Sequence, residues 1–201
     1  MEILMRFLFP ANRHFAYISF LKTYLLFIAV CFLFCTIPTN GFAKENATRL
    51  VNEQQLKAAF LFNLIKYVKW PEVSLAGGRI DLGILGKIMP GNPLHSLNDK
   101  IVGGRKIHIK VSNDADDLTD CHILYIQHSE QKQLRRIIPT FGNAPILTVS
   151  DIDGFITSHN GMVAIELKDG KIIFSINLKQ GRNTGLDFSS YLLRLATKVY
   201  Q

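Results

Sequence analysis

The chain has 201 residues, 48% of them apolar and 19% charged, with a net charge of +7. That balance excludes a disordered chain and a collagen-like repeat. The composition is uneven: eight of the 14 phenylalanines and two of the three cysteines lie within residues 1–42, so that segment is judged apart from the rest.

Residues 1–22 carry Arg6, Arg13 and Lys22 against the single acid Glu2, and an unbroken apolar run from Tyr24 to Cys35 follows. Pro38 and Asn40 interrupt any helix, and Gly41-Phe42-Ala43 offers the small-x-small pattern of a signal-peptidase site. The run is shorter than the ~20 residues that span a bilayer. The expectation is a cleaved signal peptide over 1–43 and a periplasmic domain over 44–201. Its removal takes three basic residues and one acid, so the net charge falls to +5 on 158 residues. Adjacent basic residues occur only as the separate pairs Arg105-Lys106 and Arg135-Arg136, with the rest scattered, which argues against a nucleic-acid stripe. Cys121 is the one cysteine left, so no internal disulfide forms and a buried, inert thiol is expected.

In chain order, residues 48–69 read as a helix capped by Thr48 or Asn52 and stopped by Pro71. Its apolar positions exceed one face, which implies cover on two sides, with Lys57, Asn63, Lys66 and Lys69 left exposed. Strands are expected at 80–85, 106–111, 123–126 and 145–150, with a short helix near 94–98 and a helix over 129–138 capped by Ser129. Asp169-Gly170 between two β-rich runs marks a hairpin of 162–167 with 171–177. Residues 187–200 read as a final helix with Tyr191, Leu192, Leu195 and Val199 turned inward. Strands alternating with crossovers at this spacing imply a single α/β domain with a mostly parallel sheet flanked by helices, a C-terminal β-hairpin and a C-terminal helix.

Catalytic signatures are missing. The sequence has no Gly-x-Ser-x-Gly elbow, no His-Glu-x-x-His and no Cys-x-x-Cys pair. Gly83-x-x-Gly86 lacks the Lys-Ser/Thr of a phosphate loop, and Asp151-x-Asp153-Gly154 lacks the closing Glu of a calcium loop. The five histidines after residue 43 show no metal-ligand spacing on one element, and Glu166, within a strand, is expected to face solvent. The chain therefore reads as non-enzymatic, without cofactor or metal. Candidate functional residues are of two kinds. Trp70 at a helix exit, with Phe155 and Met162 around a turn, would suit docking of a protein partner if exposed, and core burial is the other reading. Asn177, Arg182 and Asn183, in a polar loop before the last helix, could present donors to an anion, giving a periplasmic ligand-binding protein as the alternative function.

These landmarks together resemble the YfiR-like family of periplasmic regulators. The matching pieces are Lys57-Ala-Ala-Phe-Leu-Phe-Asn-Leu-Ile-Lys-Tyr-Val-Lys-Trp-Pro71, Leu82-Gly-Ile-Leu-Gly86, Cys121-His-Ile-Leu-Tyr-Ile126 and Ile146-Leu-Thr-Val-Ser-Asp151. They continue through Gly154-Phe155, Gly161-Met162, Ile173-Phe-Ser-Ile-Asn-Leu178 and Gly185-Leu-Asp-Phe-Ser-Ser-Tyr-Leu-Leu-Arg-Leu-Ala196. His159-Asn160 depart from the double glycine usual in the family, and the further cysteines of its better-known member are missing. The resemblance implies a repressor that binds the extracytoplasmic sensor region of an inner-membrane diguanylate cyclase, or of a related sensor kinase, lowering cyclic di-GMP and restraining biofilm. It further implies a homodimer and sequestration by an outer-membrane lipoprotein.

Overall fold

The computed structural model describes residues 40–201; the expected leader, apart from its last four residues, lies outside them. The fold lies in the compact unit Ala47–Gln201. Helix α1 spans Asn40–Ile65, so it begins before Thr48 and Asn52 rather than being capped by them. It also ends earlier than expected. Lys66 and Tyr67 make i→i−3 bonds to Asn63 and Leu64, which tighten the last turn, and Val68–Lys69 (β1) then pairs with Asp187–Phe188 (β9).

The main sheet holds β2 (Arg79–Leu85), β3 (Ile101–Val102), β4 (Arg105–Ser112), β5 (Ile123–Ile126), β6 (Leu147–Ser150), β7 (Val163–Lys168), β8 (Lys171–Asn177) and β10 (Lys198–Tyr200). Their order is β10-β8-β7-β6-β5-β2-β4-β3. Five strands, β4-β2-β5-β6-β7, run parallel. The β7–β8 hairpin is antiparallel, as Asp169-Gly170 requires, with φ of 49° and 72° at the turn. The fold is thus the expected mixed α/β domain around a mostly parallel sheet.

Alternation along the central strands divides the core between two faces. Leu82 and Ile84 of β2, with Ile123 and Tyr125 of β5, join Leu61 and Leu64 of α1. Leu124 and Ile126 point the other way, onto Leu134, Ile137 and Phe141 of α2 (Leu134–Phe141). The expected helix from Ser129 is a 3-10 turn over His128–Gln133 that leads into α2, and Ser129 does not cap it.

Two further expectations are corrected. The polar stretch after β8 is a helix, α3 (Leu178–Asn183), because the Asn177 side chain caps it by accepting from the Gln180 N–H at 3.1 Å. The final segment is a short helix, α4 (Ser190–Leu195), followed by β10, which pairs parallel with β8. Leu192 is buried, but Tyr191 and Leu195 stand 48% and 54% exposed rather than turned inward.

Candidate functional site

Asn177 is buried, and its polar atoms are both engaged: Oδ1 caps α3, and Nδ2 donates to Asn160 Oδ1 at 3.1 Å. Arg182 and Asn183 are exposed on α3. With one member committed inward and two outward, the three do not form one site.

Trp70, Phe155 and Met162 are buried in the core, so the exposed docking face expected around them is corrected. Phe155 lies against Gly161 so closely that a Cβ there would sit 2.3 Å from its ring. The Met162 N–H donates to Thr148 Oγ1 at 3.1 Å. The Trp70 indole N–H donates to the His122 carbonyl at 2.9 Å.

His122 holds the link between α1 and β2 onto the sheet. Its Nδ1 accepts the Asp81 N–H at 3.0 Å, and Nε2 meets the Ser74 carbonyl at 2.6 Å. That pattern requires the neutral tautomer with its proton on Nε2. The Asp81 carboxylate is nearly enclosed and is met by Arg79 Nε and His108 Nδ1, each at 3.0 Å. Gly83, weighed as part of a phosphate loop, serves packing: a Cβ there would lie 2.8 Å from Cys121 Sγ. Burial pushes the Cys121 thiol up to about 12, with Lys110 opposing and Asp120 and Asp81 adding to the shift.

The most concentrated charge in the interior was not among the expected site residues. Lys57, assigned to the exposed side of α1, is only 4% exposed. Its Nζ lies 2.5 Å from Glu53 and 2.6 Å from Asp151. Burial alone would lower its pKa, but the hydrogen bonds and charges of Asp151 and Glu53 outweigh burial and hold it above the ordinary lysine value. Asp151 Oδ1 is buried without a partner. This triad walls a cavity of about 330 Å³ between α1, the turn after β6 and the β7–β8 hairpin. The signal was present in the spacing: Lys57 shares a helical stripe with the fully buried Leu61 and Leu64. Asp151, recognised as part of a calcium-like motif, instead pairs with a lysine. Among the described residues, no group of three or more His, Cys, Asp or Glu side chains could hold a metal ion, and no helix is long and apolar enough to cross a membrane.

The family model described as YfiR/HmsC-like matches residues 54–197. That span runs from the second half of α1 to the residue before β10 and takes in Lys57, Asp151, His122 and the whole parallel sheet. No curated protein matches the chain.

Proposed function

Because this chain belongs to the YfiR/HmsC-like family, whose members are periplasmic regulators of diguanylate cyclase signalling, we propose that it is a non-enzymatic repressor. It binds the extracytoplasmic sensor region of an inner-membrane diguanylate cyclase, or of a related membrane sensor, and lowers cyclic di-GMP. The family match over 54–197 is the observation that carries this reading. The basic, apolar leader at 1–43 supports it, since export by a cleaved signal peptide delivers the protein to the compartment where such sensor regions lie.

Repression by binding is a matter of differential affinity. The protein has to hold the cyclase's inactive state more tightly than its active state, and a preference of ~10⁴-fold moves a two-state equilibrium from one extreme to the other. A homodimer would engage a two-fold sensor with matched surfaces. Capture by an outer-membrane lipoprotein would relieve repression by mass action.

The test pairs a deletion strain with purified components. Deletion is expected to raise cyclic di-GMP, and the purified protein is expected to bind the isolated sensor region of a cyclase from the same cell. Unchanged cyclic di-GMP together with no binding to any such region would overturn the reading.

A further inference from the structure

We propose that the groove between α2 and the turn at 158–160 is a binding site for a small organic anion, a carboxylate or phosphate carried on an apolar body. The groove has a volume of about 670 Å³. One wall is apolar, made by Leu134, Ile138 and Pro139 of α2, and the opposite wall is polar, made by Ser158, His159, Asn160 and Gln180. An apolar surface faced by a few convergent polar groups is the usual composition of a small-molecule site.

The charge of the lining selects the ligand's sign. Arg135 is exposed at the groove and meets no carboxylate among the described residues, and no Asp or Glu lines it. The other two cavities described differ. The one over Lys57 is lined by Glu53, Asp151, Asp153 and Glu166, and the one on the opposite flank of α2 by Asp114, Asp116 and Glu130. A guanidinium free to offer a planar pair of donors is suited to a carboxylate or phosphate.

The polar wall is set in advance. Asn160 sits at φ 59°, a left-handed conformation uncommon outside glycine. Its side chain accepts from Asn177 and donates to Gln180 Oε1 at 2.9 Å. That bond uses the Gln180 oxygen and leaves the amide's N–H donors available. Beside it, His159 lines the groove, while its Nδ1 is closed off from solvent and has no partner. Asn177 thus enters the site indirectly, by holding Asn160 and capping the helix that carries Gln180.

The experiment uses the purified protein and four probes: phenyl phosphate, benzoate, inorganic phosphate and benzylammonium. Affinity is read by titration calorimetry, and the site by NMR shifts of the Arg135 and His159 side chains. Saturable binding of phenyl phosphate and benzoate is expected, weakened at least ~10-fold in Arg135→Gln and unchanged in Arg182→Gln. Arg135 is exposed and outside the core, so the variant is expected to unfold at the parent's temperature without ligand. Loss of binding in Arg182→Gln but not in Arg135→Gln would return the site to the end of α3 and overturn the proposal. Equal binding of benzylammonium, or inorganic phosphate as tight as phenyl phosphate, overturns it too. Cyclase binding is measured separately and without these probes, so failure here leaves the repressor reading standing.

Discussion

Lys57 Nζ reaches the Asp151 carboxylate at 2.6 Å across 94 residues of chain, joining α1 to the turn that closes β6. Such a pair contributes little net stability relative to apolar residues of the same shape, yet removing one partner leaves the other charged and buried.

Lys57→Met is therefore expected to cost about 3 kcal/mol in urea unfolding, and Lys57→Met with Asp151→Leu to cost less than the single change. A pH dependence follows with a definite sign. The folded-state pKa of Lys57 is raised above an unfolded value near ~10.4. Its stabilisation is fully present below that unfolded value and is lost as pH rises through the folded one. Above about pH 10.5 the parent should lose stability more steeply than Lys57→Met. Parallel pH profiles for the two proteins would show that the pair carries no proton-linked stability.

His122 supplies a second test, because it satisfies two main-chain groups at once. His122→Ala leaves the Asp81 N–H and the Ser74 carbonyl without their partner, which costs about 2–3 kcal/mol. Trp70→Phe removes the indole donor to the His122 carbonyl, which keeps its bond from the Leu147 N–H, and leaves a small void, for a cost of about 1–2 kcal/mol. Trp70 is the chain's single tryptophan, so a red-shifted emission in His122→Ala would report that the segment after α1 has loosened. Unchanged emission and unfolding midpoint would show that the tether is dispensable.

How much of this was legible depends on how local each signal is. Alternation and apolar runs mark β2, β4, β5 and β6, and Asp169-Gly170 marks the hairpin, because the determinants lie within each segment. Within 187–200 the helical spacing of Tyr191, Leu192, Leu195 and Val199 is realised only over Ser190–Leu195, whereas β10 exists only by pairing with Ser175–Asn177 of β8. Lys57 was misplaced for the same reason: its stripe was readable, but a buried cation is tolerable only with a distant carboxylate. The groove is less legible still, since Arg135 and His159 come from segments that only folding brings onto one side of the sheet.

Close backbone approaches give a prediction that separates packing from conformation. Gly161→Ala would put a methyl 2.3 Å from the enclosed ring of Phe155, and overpacking of that kind costs about 1–3 kcal/mol. Gly77 has open space around it and no positive φ, so Gly77→Ala should be neutral or stabilising by up to about 1 kcal/mol through the unfolded chain. Thermal unfolding of the two variants distinguishes them. Equal midpoints would mean that the Phe155 ring has room to move aside.

Cys121 is expected to resist thiol reagents for two reasons that act together. Its sulfur is packed over Gly83, and burial raises its pKa to about 12. At pH 8.5 an unfolded cysteine near pKa ~8.5 is about half thiolate, while the folded residue would be thiolate only once in ~3 × 10³ molecules. In the protein starting at Lys44, where Cys121 is the only cysteine, labelling by a disulfide reagent at pH 8.5 should be at least ~10³-fold slower in the native state than in urea. Its rate should follow global opening, so Lys57→Met ought to accelerate it in proportion to lost stability. Rapid stoichiometric labelling of the stable native protein would show instead that Cys121 is accessible and poised for exchange.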